Sequence, residues 1–544
     1  MPPARTPLHS RLRSLVISLA VGLAAWSAAS AALVAAERPN ILIAISDDQS
    51  WPHTSAYGSK MVDTPSFDRI AREGVLFRNA FCASPGCSPS RAALLTGLHT
   101  WMLQHAGTHA SYFPKEFVVF PDRLEAAGYF VGYTGKGWGP GDWKESGRPR
   151  NPAGTHFTGP RANRRSGYVA AFETFLAERP ANTPFYFWFG SHDAHRGYEK
   201  GSGLAQGKTL EQGEVPPYLP DVPEVQSDLL DYAAEVDRFD RDLGAMLRLI
   251  EEAGELDNTL VIVTSDNGMP FPRAKANCYE DGIHVPLAVS WKKAIPAGRV
   301  VDDLVGFVDL TATIYEASEV SPPPDMPLVG RSLLPLLKSD AEGLVEPDRD
   351  AVFAARERHS SSRYNSLSYP QRCIRTQRYL YIRNFTPERW PAGDPRKFDE
   401  VRYSAAGEPV QFKIGPMHGA YHDIDACPTL DFLVAHHAER GLARYLALSV
   451  ARRPTEELFD VQRDPACLTN LVDDPDHAAA KAELSQRLME HLEQTGDPRV
   501  VEDGDIWETY PRVSPLRWFP EPEWAADDRE AVPQQEWLEE RRPK

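Results

Sequence analysis

The sequence predicts an α/β protein, a doubly wound and mostly parallel sheet followed by a smaller C-terminal α+β subdomain. Two runs, Ile41–Ile45 and Leu260–Thr264, are continuously apolar and rich in branched residues, as central strands covered on both faces require. Around them strand-like and helix-like segments alternate, the order that builds parallel sheets from crossover units. Beyond about residue 346 this order gives way to short strands and separate helices, which divides a main domain at 37–345 from a subdomain at 346–500.

In chain order, the first segment reads as a leader. Arg5, Arg11 and Arg13 form a basic start, Leu15–Leu33 is apolar and alanine-rich, and Leu33-Val34-Ala35-Ala36 offers a small-residue cleavage site before Glu37. Removal of residues 1–36 and release to the periplasm or exterior is the expectation, with no stable membrane anchor. The first apolar strand then ends in Asp47-Asp48. A helix follows from Thr64-Pro65, with Thr64 as cap and Pro65 in its first turn. Gly74–Phe81 reads as a strand that delivers Cys87 into a loop, and Arg91–Thr96 as the start of a helix whose backbone N–H groups favour an anion beside residue 87.

Phe120–Ala127 is predicted helical, Phe130–Tyr133 a short strand and Gly135–Gly141 a flexible loop. Gly167–Ala177 is a helix, Pro184–Phe189 a buried strand leading to Ser191-His192-Asp193-Ala194-His195-Arg196, and Asp228–Ala253 a helix with apolar positions at helical spacing. The second apolar strand ends in Ser265-Asp266-Asn267-Gly268. Pro286–Ser290 and Thr311–Ala317 add a strand and a helix, and Ser321–Asp325 is a proline-rich loop. In the second part, Tyr379–Arg383 is a strand, with helices near 428–438 and 478–495. The tail 501–544 is acidic and proline-rich, yet Trp507, Trp518, Trp524 and Trp537 argue that it wraps onto the body.

Asp47, Asp48, Asp266 and Asn267 close two buried strands, so parallel strand ends can aim four hard oxygen ligands at one point. No thiolate or imidazole companion accompanies these pairs, which selects calcium or magnesium over zinc. The formal net charge of −17 excludes a nucleic-acid partner and repels a polyanion at long range, so any anion site must be locally positive. Six cysteines, at 82, 87, 278, 373, 427 and 467, lack the spacing of a disulfide scaffold or a zinc site. Oligomeric state is not encoded in any of these features.

The run Cys87-Ser88-Pro89-Ser90-Arg91, within 82–97, has the form C-x-P-S-R and resembles the sulfatase family, whose fold is alkaline-phosphatase-like. The resemblance implies that a maturation enzyme oxidises Cys87 to formylglycine. The aldehyde hydrate offers two hydroxyls on one carbon, one to attack sulfur and one to expel sulfate. It further implies a cation, calcium before magnesium, on Asp47, Asp48, Asp266, Asn267 and residue 87. Arg91 would hold the hydrate and the ligand carboxylates, Lys136 and Lys275 would contact sulfate oxygens, and His192 would protonate the leaving group. Asp193 and His195 are further substrate-contact candidates.

One departure stands out. Many sulfatases carry a histidine two places after the first lysine, whereas this chain has Gly135-Lys136-Gly137-Trp138. Either His105 or His109 substitutes, or the step is arranged differently.

Leu76–Phe81, His192–Arg196, Thr264–Pro272 and Ser368–Arg372 are most similar to the heparan N-sulfatase (sulfamidase) branch. That branch implies a sulfated saccharide substrate, N-sulfoglucosamine, and glycosaminoglycan degradation. Still open beside it are an O-sulfatase acting on carbohydrate or aryl esters, a phosphonate or phosphate ester hydrolase on the same metal site, and a non-catalytic glycan binder with Cys87 left as a thiol.

Overall fold

The computed structural model describes residues 38–159, 167–405 and 409–522. Among them an eight-stranded sheet is built from β1 (Asn40–Ser46), β2 (Val75–Phe81), β3 (Phe130–Gly135), β4 (Thr155–His156), β5 (Phe185–Gly190), β6 (Thr259–Ser265), β7 (Leu287–Ser290) and β8 (Arg299–Gly306). Its spatial order is β4-β3-β5-β1-β6-β7-β2-β8. Every pairing is parallel except those of β7, which runs antiparallel to both β6 and β2.

Helices α1 (Pro65–Glu73), α2 (Cys87–Thr96), α3 (Phe120–Ala126), α4 (Tyr168–Glu178), α5 (Pro223–Glu252) and α6 (Phe307–Ala317) cover the two faces. One apolar cluster joins Ile41, Ile43, Phe77 and Trp188 to the α2 side. The other joins Leu42, Phe172, Phe187, Phe239 and Val263 on the α4 and α5 side. The alternation of Ile43 and Leu42 between clusters is the period of a strand buried on both faces.

A second sheet, β9 (Val352–Arg356), β10 (Gln371–Arg375), β11 (Tyr379–Asn384) and β14 (Glu456–Asp460), is antiparallel in the order β14-β11-β10-β9. A separate hairpin pairs β12 (Phe398–Tyr403) with β13 (Pro409–Ile414). Ala354, Cys373, Leu380, Ile382 and Phe459 of the second sheet belong to the same apolar cluster as Phe77, Leu304 and Val305 of the first, so the two sheets share a core. Helices α7 (Pro428–Ala435) and α8 (Ala478–Gln494) also belong to this part.

Two expectations are corrected here. Cys87 does not sit in a loop; it is the first residue of α2, which begins four residues earlier than Arg91 and is capped by Gly86, a residue with no side chain to announce a helix start. Thr64 precedes α1 but its side chain makes no capping bond, because its hydroxyl instead accepts from Ser55 N–H at 2.8 Å.

The segment after α8 is anchored on residues from both parts of the chain. Trp507 is 1% exposed and the Glu508 carboxylate accepts from Ser368 N–H and Oγ and from Arg389. Arg358 donates to the carbonyls of Tyr510 and Pro511, and Val513 N–H donates to Ala110 O. Trp518 is half-buried, while Trp524, Trp537 and the leader at 1–36 lie outside the described residues. No helix among the described residues is long and apolar enough to cross a membrane. All six cysteines are buried and carry no disulfide.

Candidate active site

The carboxyl ends of β1 and β6 lie side by side in parallel register, Ser46 opposite Ser265. Each strand turns at once into its pair of oxygen-bearing side chains. Asp48 adopts φ 67°, a left-handed conformation that costs a residue with a Cβ, and its N–H is anchored on Asp266 Oδ1 at 3.0 Å. Asp47, Asp48, Asp266 and Asn267 are fully buried. One oxygen from each of the three carboxylates and the Cys87 sulfur all lie within 4.8 Å of one another. Cys87 Sγ is 3.6 Å from Asp47 Oδ1 and 3.7 Å from Asp48 Oδ1.

Three buried carboxylates are tolerable only with charge opposite them. Lys136 Nζ donates to both Asp47 oxygens at 2.6 and 2.7 Å and stands 3.7 Å from Asp266 Oδ2. Arg91 Nε donates to Asp266 Oδ2 at 2.7 Å, and its Nη1 to the carbonyls of Lys136 and Gly137. Lys275 Nζ bridges Asp48 Oδ2 at 2.6 Å and Asp425 Oδ2 at 2.9 Å. Each carboxylate of the strand ends therefore has its own cation.

Burial pushes Asp47 up, but Lys136, His195, Arg91 and Lys275 outweigh it and hold the acid well below its ordinary range. Asp266 goes the other way: burial, with Asp47 and Asp48 adding to it, exceeds the pull of Arg91 and Lys136. Burial also raises the Cys87 thiol well above its usual value; Lys136 and Lys275 oppose the rise while Asp266 and Asp47 add to it. An unmodified thiol here is a protonated, weak nucleophile.

Two buried polar atoms in this cluster have no hydrogen-bond partner: Asn267 Oδ1, an acceptor, and Arg91 Nη2, a donor. Asn267 Nδ2 is committed to Asp48 Oδ1 at 2.8 Å, so its oxygen is left for another group. Such orphans are rare in a folded interior. An all-oxygen set with one unspent carbonyl oxygen fits a hard cation such as calcium or magnesium.

The structure thus brings Cys87, Arg91, Lys136, Lys275 and the four strand-end residues together. His192 follows β5, and its Nδ1 hydrogen-bonds with Tyr168 Oη at 3.2 Å. The imidazole recorded against the carboxylates is that of His195, with Nε2 3.8 Å from Asp48 Oδ2. Asp193 is fully buried and clamped by Arg238 at 2.6 and 3.0 Å, which gives it a scaffolding place; its backbone carbonyl accepts from Asp47 N–H at 2.7 Å.

Trp138, which stands where the resemblance led us to expect histidine, is buried and donates from Nε1 to Ser88 O at 3.0 Å, a contact that braces the turn carrying residue 87. His105 leans on Tyr510, ring centroids 4.2 Å apart, and its Nδ1 hydrogen-bonds with Ser111 Oγ. His109 instead lies against His359, ring centroids 4.5 Å apart, and both rings border Gly86.

Sequence reasoning missed Asp425, His359, Tyr168 and Arg238. Asp425 and His359 come from the second part of the chain, where no sequence motif marks them. Tyr168 and Arg238 lie on helices where they read as ordinary surface positions.

The Sulfatase family profile matches residues 39–320, and a second profile, "N-sulphoglucosamine sulphohydrolase, C-terminal", matches 274–406. Human N-sulphoglucosamine sulphohydrolase is 30% identical over 529 residues, covering 89% of this chain and 96% of the relative. An ulvan-active sulfatase of Formosa agariphila is 25% identical, covering 86% and 77%. Among solved structures, one described as being in complex with its substrate D-glucosamine-2-N,6-O-disulfate aligns with a TM-score of 0.60 at 20% identity, covering 85% of this chain and 99% of the other.

Proposed function

Because this chain belongs to the sulfatase family and so hydrolyses a sulfate ester or a sulfamate, we propose that its substrate is a sulfated saccharide and that the bond cut is the N–S bond of N-sulfoglucosamine. The observation that carries this reading is the pair of unspent atoms, Arg91 Nη2 and Asn267 Oδ1, in the buried cluster that surrounds Cys87. The choice of sugar leans on the relative whose name specifies N-sulphoglucosamine.

A formylglycine at position 87 would supply the hydroxyl nucleophile, and a calcium ion held by Asp47, Asp48, Asp266 and Asn267 would draw charge from the sulfuryl oxygens. The rest falls to groups the chain itself provides. Lys136 and Lys275 hold fixed positive charge beside residue 87 in a largely buried site, where such charge counts for more against a developing anion than it would in water. The first turn of α2 adds backbone N–H groups at the same place. Arg91 ties Asp266 to the Lys136 backbone and so keeps the cluster in one arrangement. His192, oriented by Tyr168, gives its proton to the departing nitrogen.

Maturation of Cys87 calls for a formylglycine-generating enzyme, and the leader at 1–36 would send the protein to the periplasm or exterior. An O-sulfate ester would use the same groups with an alcohol departing, a second reading favoured by a human relative named N-acetylgalactosamine-6-sulfatase.

The experiment is sulfate release from two matched sugars, N-sulfoglucosamine and glucosamine 6-O-sulfate. It uses protein whose peptide Asn79–Arg91 is found by mass to carry the aldehyde. Preference for the first is expected, preference for the second transfers the enzyme to O-sulfates, and turnover of neither by aldehyde-bearing protein overturns the saccharide reading. Cys87→Ala should abolish turnover with the thermal melt unchanged.

A further inference from the structure

We propose that His109 accepts the proton whose loss expels sulfate from residue 87, a task for which this chain has no histidine at position 138. The inference rests on the formylglycine reading above and concerns the second half of that reaction.

In the first half, one hydroxyl oxygen of the hydrate bonds to sulfur as the S–N bond breaks, and the amine departs with the bonding pair and a proton. In the second half the other hydroxyl yields its proton, its O–H pair becomes the C=O bond, and the C–O bond to sulfate breaks with sulfate taking the pair. Water then adds to the aldehyde and restores the hydrate. The second proton needs an acceptor, and the groups bonded around residue 87 are poor ones. Burial pulls Lys136 and Lys275 down, but Asp47 lifts the first above its ordinary range and Asp425 with Asp48 lifts the second, so both are already ammonium groups. Arg91 is charged as well, and Asp47, Asp48 and Asp266 are occupied with these cations.

The His109 segment touches both neighbours of residue 87. A Cβ on Gly86 would lie 4.0 Å from His109 Cδ2, the ring carbon bonded to Nε2. On the other side, Ala110 N–H donates to Ser88 Oγ at 3.1 Å, while the Trp138 indole holds the carbonyl of the same serine. The backbone there is fixed: His109 N–H donates to Arg358 O at 3.1 Å, Val513 N–H donates to Ala110 O at 2.8 Å, and Ala110 is held at φ 54°, a left-handed conformation that costs a residue with a Cβ. The His109 side chain is buried, and its Nδ1 has no hydrogen-bond partner, so no protein group at that nitrogen fixes the tautomer. Burial, then His359, Arg512, Lys275 and Lys136, hold the ring well below its ordinary range and so unprotonated, and the anionic sulfo group offsets the lysines once it is attached. His105, packed on Tyr510 and bonded to Ser111, has no such approach to residue 87.

The test reads the two halves separately, with N-sulfoglucosamine and the full chain whose peptide Asn79–Arg91 carries the aldehyde. In a two-step covalent reaction kcat/KM reports the first step. His109→Gln should therefore lower kcat by about 100-fold and KM with it, leaving kcat/KM within about threefold of wild type. A burst of amine equal to the enzyme should precede the slow phase, and the peptide should be found by mass with sulfate still attached. His105→Gln should behave as wild type, and imidazole added to His109→Ala protein should speed sulfate release. Equal losses in kcat and kcat/KM, with no burst and no sulfated peptide in protein that melts like wild type, would overturn the inference and leave His109 a packing residue. So would that signature in His195→Gln but not in His109→Gln. Wild type runs beside each variant: no sulfate release by aldehyde-bearing wild type strikes the reading of the reaction and the inference with it, whereas wild-type turnover matched by His109→Gln strikes His109 alone.

Discussion

Asp425→Asn isolates the contribution of the second part of the chain to the chemistry. Lys275 is 4% exposed and lies between Asp48 at 2.6 Å and Asp425 at 2.9 Å; the Asp425 side chain is 28% exposed. Burial pushes Asp425 up, but Lys275, His195 and His359 hold it well below the ordinary carboxylate range, so it is charged at neutral pH. The bare attraction at 2.9 Å is about 6 kcal/mol at an effective dielectric of about 20. Desolvation cancels most of this, and a charged hydrogen bond is worth about 1.5–3 kcal/mol net. Asparagine keeps a neutral bond of about 1 kcal/mol, and Asp48 still holds the ammonium, so about 1–2 kcal/mol is lost. That predicts a fall of about 5- to 30-fold in kcat/KM, carried by kcat, because Lys275 is aimed at charge that develops during the reaction. Sulfate release at varied substrate, with a melting curve on the same sample, measures it. Asp425→Asn combined with Lys275→Ala should be no worse than Lys275→Ala alone. Activity within twofold of wild type, or a loss confined to KM, would refute the idea that Asp425 positions Lys275.

Other outcomes follow from the same geometry. Chelation should remove activity and calcium restore it; added calcium should raise the melting temperature of wild type, and Asn267→Ala should blunt that rise, since a cation bound only to the folded state stabilises it. Burial raises Glu508, but Arg389, Arg499 and Ser368 bring it down to about 2. With an unfolded value of about 4.3, the folded value is the lower one. Its stabilisation, on the order of 3 kcal/mol, is complete above about pH 4.3 and disappears as pH falls toward 2. Glu508→Gln should therefore lower the melting temperature at pH 7, and the gap to wild type should close in acid. A Cβ at residue 190 would sit 1.8 Å from Lys136 O, so Gly190→Ala should cost about 2–3 kcal/mol or more and depress turnover by displacing Lys136, as paired melting and rate measurements would reveal.

The central sheet and the oxygen cluster were legible because their signals are local. An apolar run says that a strand is covered on both faces, and the polar pair after it says where the cover ends. Strand direction has no such signature: β7 is as apolar as its neighbours, and its reversal against β6 and β2 shows only in the pairing itself. The beginning of α2 was placed late because glycine caps by conformation, not by a side chain. Asp425 was invisible for a different reason. Its partner lies 150 residues away, and nothing in the residues around it distinguishes a buried counter-charge from a solvated loop aspartate. The same holds for Arg238, whose charge reads as solvated until Asp193 is found beneath it.

The shared apolar core bears on what could be cut from this protein. Val305 and Phe307 pack into the cluster that also takes Ala354, Leu380, Ile382 and Phe459. A truncated chain ending at residue 345 would turn that face toward water. Each large side chain stripped of its cover forfeits about 1.5–3 kcal/mol, and a handful of them amounts to the entire margin by which a domain stays folded. The stretch that carries the proposed ligands and nucleophile is therefore not a portable module. Kinship can be traced through residues 39–320 alone, but a gene fragment encoding only that stretch would make a sticky chain in place of a smaller enzyme.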